Sequence, residues 1–254
     1  MPGSMMRVAG QAQQWGNGLA LDDVGVDPMS LAFLPILEPE AIKLDMSLIR
    51  NSHTAHTGAV CAVVRGEAQR TGAVVIAEGI ETEADLHVAR VLGARWGQGW
   101  LFGCPGPIDQ GHRYDPAAAS ALRMPRPGFH QPMGTPFEVA VKHRPAIAGT
   151  ADAVAAALAR LRDTVAADDA SVVVASCPDT GLGGITSALQ ELAGRARSVI
   201  LLDRPVLDEF AAAVIGPGYG YAMCVRATDA VELVTLEHLP TIAAVSRVLL
   251  HRQG

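Results

Sequence analysis

Six residues in the first hundred are of the types that hold a hard divalent cation and the water beside it: Asp22, Asp23, Lys43, Glu78, Glu81 and Gln98. Carboxylate oxygens suit Mg²⁺ or Mn²⁺, and a lysine among them can hold or deprotonate a metal-bound water. Their spacing is informative because the charged ones each follow or end a short apolar run. Ala20-Leu21 leads into Asp22-Asp23, Ala41-Ile42 into Lys43 and Asp45, and Ala73-Val-Val-Ile-Ala77 into Glu78 and Glu81. Adjacent aspartates on a continuing strand point opposite ways. They converge if the strand ends there and the backbone turns. Taken alone, Asp-Asp-x-Gly reads better as a polar turn.

The elements that must position these groups alternate. Strands are expected at Gly18–Asp22, Ala41–Asp45, Ala73–Ala77 and about Gly97–Leu101. Helices are expected at about Ser30–Leu34, His53–Arg70 and Glu83–Leu92. The last has Thr82 as N-cap, Asp85 closing a capping box and Gly93 as its stop. Near-continuous apolar strands between helices indicate buried parallel strands, and such folds collect functional groups at the strands' C-terminal ends. Gln98 falls on the fourth strand, so every strand brings a polar group to one rim.

The ordered series Leu21-Asp-Asp-Val-Gly25, Ile42-Lys-Leu-Asp45, Ile76-Ala-Glu-Gly-Ile-Glu-Thr82 and Gly97-Gln-Gly-Trp-Leu-Phe102 resembles the second half of an EAL domain. The resemblance implies a TIM-like barrel and a metal-dependent phosphodiesterase that linearises cyclic di-GMP. It also implies Asp22, Asp23 and Glu78 as metal ligands and Lys43 as the residue that orients or activates the attacking water. By the same likeness Glu81 positions its loop and Gln98 contacts the site. The family's Glu-Ala-Leu strand, the asparagine and glutamate ligands of the strands after it, and a phosphate-gripping arginine have no counterpart in this sequence. Four strands would leave two open edges, which aggregate or pair with another chain, so a homodimer or a partner protein covering them is expected. Asp22, Asp23 and Glu78 supply only part of the six or so oxygens a divalent ion takes. Weak or absent turnover by this chain is therefore expected. Two origins stay open: an enzyme whose N-terminal half was lost, or a degenerate half-barrel that regulates by binding.

Composition sets bounds. Apolar residues make up 49% and charged residues 18%, with a net charge of −6. No apolar run is long enough for a membrane span, and no basic patch suits a nucleic acid. The N-terminus lacks a secretory h-region. Cys61, Cys104, Cys177 and Cys224 lack metal or disulfide spacing, which suits reduced thiols in the cytoplasm.

From Pro105 to Pro136 lie seven of the 16 prolines. This gives residues 1–105 as a truncated EAL domain, 106–135 as a Pro/Gly-rich linker and 136–254 as a second α/β domain. In the latter, helices are expected at Ala151–Ala167, Ile185–Leu192 and Thr241–His251, and strands at Ser171–Cys177, Ser198–Leu202, Tyr219–Arg226 and Val231–Leu236. Its opening, Gly134-Thr-Pro-Phe-Glu-Val139, resembles the start of a DICT domain, which implies a sensory role. Of the remaining candidates, His53 and His56 read as a solvated helix end and Trp96 and Trp100 as packing. Thr180-Gly-Leu-Gly-Gly184 and Asp203-Arg204 read as turns.

Overall fold

The structure, a computed structural model, describes residues 2–106, 122–166, 170–176, 189, 191–192, 194–202 and 208–252. The chain divides into two compact units. One comprises Ala12–Leu34 and Glu38–Arg126, the other Met1–Gln11, Pro35–Leu37 and Pro127–Gly254.

The first unit is built on four parallel strands in the order β1 (Ala20–Val24), β2 (Ala41–Leu44), β3 (Val74–Ala77) and β4 (Trp96–Gly97). Helix α1 (Pro2–Gln14) precedes them. Between β1 and β2 runs α2 (Pro28–Leu37), whose start is fixed by Asp27, accepting from the Met29 amide, with Pro28 at the first helical position. A proline there costs nothing, because that N–H would be unpaired anyway. The expected end at Leu34 is overrun. Pro35 cannot bond the Leu31 carbonyl, but the Glu38 amide closes the last turn on Leu34 at 2.8 Å. After β2 come α3 (Met46–Arg50) and α4 (Ala55–Thr71), and after β3 comes α5 (Glu83–Leu92).

Ile42 and Leu44 on β2 and Val75 on β3 pack with Leu31, Leu34, Leu48, Val60, Cys61 and Val64 from the helices. Alternation therefore turns Lys43 to the opposite face.

Three local expectations are corrected. Strand β1 does not stop at Asp22 but continues to Val24, which is fully buried. Asp45 is not on β2; it caps α3, accepting from the Ser47 amide at 2.8 Å. The fourth strand is only Trp96–Gly97, so Gln98 is off the strand, and Trp100–Phe102 form a 3₁₀ turn. The reason lies at Gly99, whose φ is +156°. The chain crosses the backbone of Ile80 so closely that a Cβ on Gly99 would sit 2.2 Å from the Ile80 carbonyl oxygen. The Leu101 amide bonds that same carbonyl at 3.0 Å.

On the N-terminal side of the strands lies a buried ionic cluster. Glu38, Glu40 and Glu67 are 5%, 2% and 8% exposed. Arg70 pairs with Glu38 and Glu67, Arg126 with Glu38 and Arg123 with Glu40, all at 2.7–2.9 Å. Arg123 also donates to the carbonyls of Glu38 and Thr71. Buried carboxylates are tolerated only when paired in this way.

The second unit holds a six-stranded mixed sheet. Its strands are β5 (Ile147–Ala148), β6 (Val172–Ser176), β7 (Ser198–Leu202), β8 (Glu209–Gly216), β9 (Tyr219–Ala227) and β10 (Val231–Leu236), in the spatial order 5-10-9-8-6-7. Among the described strands of this sheet only β6 and β7 pair in parallel. Helix α6 (Pro136–Val141) opens the unit, α7 (Ala151–Ala166) follows, and α8 (Leu239–Arg252) closes it. Phe210, Ala212 and Val214 of β8 join Leu161 and Val165 of α7 in one apolar core. The alternate residues of β8 are buried as well, so both faces of the sheet are covered.

Strand β8 was not expected, since Ala211-Ala-Ala213 carries little strand propensity, and its burial comes from its central place in the sheet. The expected helix at Ile185–Leu192 lies largely outside the described residues, as do Thr180–Gly184 and Asp203-Arg204. Cys224 is fully buried, which pushes its thiol pKa well up, and its Sγ donates to the Pro136 carbonyl. A thiol held protonated in this way is inert.

Two predictions follow from the first unit's geometry. Gly99→Ala forces the Ile80 backbone to move and is expected to destabilise by roughly 1–3 kcal/mol. Amide hydrogen exchange across 96–102 reads this, and unchanged protection would contradict it. Asp85 accepts from the Thr82 hydroxyl and from the amides of Glu81 and Thr82, which together hold its pKa below the ordinary 3.8. Because the folded pKa is depressed, the carboxylate's contribution to stability is present above 3.8 and fades as pH falls through the folded value. The gap between the wild type and Asp85→Asn in chemical denaturation is expected to close as pH falls below that point.

Candidate metal centre

The register of β1 against β2 creates the site. Leu21 pairs with Ile42 and Val24 with Leu44. Two residues of β1, Asp22 and Asp23, therefore oppose the single residue Lys43. This is a β-bulge, which re-aims side chains while letting the ladder continue. Asp23 takes the left-handed conformation, φ +51°, which aspartate tolerates better than most residues. The two carboxylates converge through this bulge rather than through the end of the strand.

On the other side of Lys43, the Glu78 amide extends the β3 ladder by bonding the Leu44 carbonyl at 3.1 Å. Lys43 Nζ lies 2.8 Å from Asp22 Oδ1 and 2.6 Å from Glu78 Oε1. One oxygen from each of Asp22, Asp23 and Glu78 can be chosen so that all three lie within 4.8 Å of one another. Two ligands of one ion can be no further apart than about twice the metal–oxygen length, roughly 4–5 Å for the hard divalent ions. The donor set, all carboxylate oxygen, fits such a cation.

The electrostatics follow from these pairings. Hydrogen bonds to Asp22 and then to Glu78 raise the Lys43 pKa above 10.5. Lys43 is cationic at neutral pH, with three N–H donors and no acceptor. Its hydrogen bond is the largest of the influences that hold Asp22 below 3.8. The Asp22 side chain is 61% exposed, against 19% for Lys43 and 21% for Glu78, so the centre opens to solvent on its Asp22 side.

The other expected residues are placed differently. Gln98 is not among the three carboxylates; with Glu78, Gly99, Trp100 and Phe102 it lines a cavity of 530 Å³. Its amide bonds the Ala77 carbonyl at 2.9 Å, and its own carbonyl accepts from the Ile80 amide at 3.1 Å. Glu81 stands apart, paired with Arg50 at 3.3 Å. Trp100 is exposed at the cavity wall rather than packed.

Sequence reasoning missed two contributors. Arg50, at the end of α3, holds the Glu81 loop. His56, read as a solvated helix end, reaches the Gly25 carbonyl at 3.2 Å. Both partners are 31 residues away, and nothing local in the sequence signals either contact.

Residues 5–105 match the EAL domain family. The chain is 36% identical over 96 residues to a cyclic di-GMP phosphodiesterase of Pseudomonas aeruginosa, covering 37% of this chain and 16% of that protein. It is 31% identical over 101 residues to the bifunctional diguanylate cyclase/cyclic di-GMP phosphodiesterase MucR of the same organism, covering 39% of this chain and 15% of that one. The chain thus spans about a sixth of the length of these curated relatives. Among solved structures, the Bacillus subtilis YkuI protein, with an EAL domain and in complex with substrate c-di-GMP and calcium, aligns over 93% of this chain and 65% of its own. Its TM-score is 0.39 at 13% identity, too slight a likeness to carry an argument. Asp22, Asp23, Lys43 and Glu78 all fall inside the EAL match. No described helix is long and apolar enough to cross a membrane.

The Lys43 pairings make a direct prediction. In the metal-free Lys43→Met variant, the Asp22 pKa is expected to rise, because the largest of the influences that lower it is gone. A carboxyl ¹³C NMR titration measures it. An unchanged value would mean that the pairing is not what holds Asp22 ionised.

Proposed function

We propose that residues 5–105 form an EAL-type site for cyclic di-GMP, in which Asp22, Asp23 and Glu78 hold Mg²⁺ or Mn²⁺ against a substrate phosphate. The observation that carries this is the convergence of three carboxylates around Lys43, at the C-terminal ends of parallel strands and inside the matched segment. In this reading the four strands correspond to the last four of a TIM-like barrel, whose functional groups gather at that end. The bound metal would supply positive charge to the phosphate and lower the pKa of a bound water.

Lys43 orients or activates the attacking water in this reading. Before a metal binds, its hydrogen bonds to Asp22 and Glu78 hold it protonated. It donates hydrogen bonds that fix Asp22 and Glu78 and that orient a water or a phosphate oxygen beside them. Glu81, tied to Arg50, steadies the loop after β3. Gln98 offers an amide to a ligand in the 530 Å³ cavity. Hydrolysis adds water across one P–O bond, and the leaving sugar oxygen takes up a proton.

We further propose that turnover is slow. Three carboxylates fill about half of the six-oxygen shell that Mg²⁺ requires, and the exposed Asp22 leaves the rest to solvent. A second reading follows from the same observation: a regulatory protein that binds cyclic di-GMP without cleaving it. For residues 136–254 a DICT-type sensory role is supported by the Gly134–Val139 motif. Thr135 and Glu138 of that motif form a capping box, and the Thr135 hydroxyl donates to Glu209 at 2.7 Å. Strand β1 has no neighbour on its outer side among the described residues, and there a second copy or another protein would pair.

Incubating the purified chain with Mn²⁺ and cyclic di-GMP tests the proposal. The expected result is Mn²⁺-dependent binding with slow linearisation. Glu78→Ala is expected to weaken Mn²⁺ affinity by at least the roughly 10–100-fold that loss of a supporting partner costs, and to abolish any linear product. Binding with no product selects the regulatory reading; no metal-dependent binding overturns both.

A further inference from the structure

Gly25 lies two residues beyond Asp23, where β1 gives way to the turn that leads into α2. It is held on three sides. Its amide donates to Ser30 Oγ at 3.4 Å. Its Cα face lies against Leu48 so closely, at φ +104°, that a Cβ would sit 2.7 Å from a Leu48 methyl. Its carbonyl faces His56 Nε2 at 3.2 Å. A carbonyl can only accept, so the Nε2 hydrogen is the one donated.

Other described ties to this turn include the backbone bonds Val26 N to Asp23 O and Asp45 N to Val24 O. Among the described contacts, His56 supplies the side-chain hydrogen bond that reaches the turn from α4. That helix is seated in the unit's core by Val60, Cys61 and Val64. The bulge that aims Asp22 and Asp23 is therefore tied at its exit to a side chain from a different element.

We propose that His56 is a positioning residue for the Asp22–Asp23 pair. Through the Gly25 carbonyl it holds the turn in the left-handed geometry that keeps both carboxylates directed at one ion. The inference rests on the metal-site reading above. It reaches a residue that touches neither metal nor substrate, on a helix with no other part in the site. Metal sites lose affinity when the groups orienting their ligands are removed, commonly by 10–100-fold. A backbone-mediated tie at an exposed histidine belongs at the low end of that range.

The test uses the full chain and Mn²⁺ alone, read by EPR of the free ion. His56→Ala is expected to weaken Mn²⁺ binding by about tenfold, with little change in the thermal transition. His56→Gln, whose amide can still donate to the Gly25 carbonyl, is expected to recover most of the affinity. An unchanged affinity in His56→Ala, or a loss that His56→Gln does not recover, overturns the proposal. If the wild type binds Mn²⁺ no better than Glu78→Ala does, the metal-site reading itself fails and takes this inference with it. Normal wild-type affinity with an indifferent His56 overturns only the positioning role.

Discussion

Three carboxylates within 4.8 Å of one another repel, and the fold must supply something to offset that. Two like charges 4 Å apart cost about 1 kcal/mol in water and about 4 kcal/mol at the effective dielectric of a protein surface. The offset built into the chain is Lys43, on the strand between the two that carry the acids. Its position follows from alternation: Ile42 and Leu44 face the helices, so Lys43 must face the other way. A parallel sheet delivers its neighbours' ends to the same level, and the bulge in β1 adds a second acid where a regular strand would give one. The site depends on this compensated charge, and the tight turns around it at Gly25 and Gly99 hold the backbone that carries it.

Much of this was legible. The capping box at Thr82 and Asp85, the Gly93 stop and the parallel alternation rest on local chemistry, and the structure reproduces them. What escaped depends on contacts between segments distant in sequence. Whether Asp22-Asp23 ends a strand or bulges within one is decided by its register against β2. The brevity of the last strand is decided by the approach of Gly99 to Ile80. Glu81 is expected from the resemblance to position its loop, but the Arg50 that ties it there lies 31 residues away on α3. His56 has the same limitation in reverse: at the first turn of a helix it looks idle, and only the fold brings Gly25 to it.

The second unit shows the complementary case. Strands β6, β7, β9 and β10 announce themselves by composition, whereas the central strand β8 and the two-residue edge strand β5 do not. Ala211-Ala-Ala213 would favour a helix by intrinsic propensity, and a sheet covered on both faces overrides that preference. The motif at Gly134–Val139 has a clear local purpose as a helix start docked on Glu209.

The ionic cluster beneath the sheet bears on where the first unit ends. The family match stops at residue 105, but Glu38 and Glu40 are neutralised in part by Arg126 and Arg123, some twenty residues further on. A fragment cut at the edge of sequence similarity would keep the acids and lose these two counter-ions. Removing one partner of a buried pair typically costs about 3–5 kcal/mol, a large share of the roughly 5–15 kcal/mol that holds a domain together. For this unit the boundary set by charge balance lies beyond the boundary set by homology.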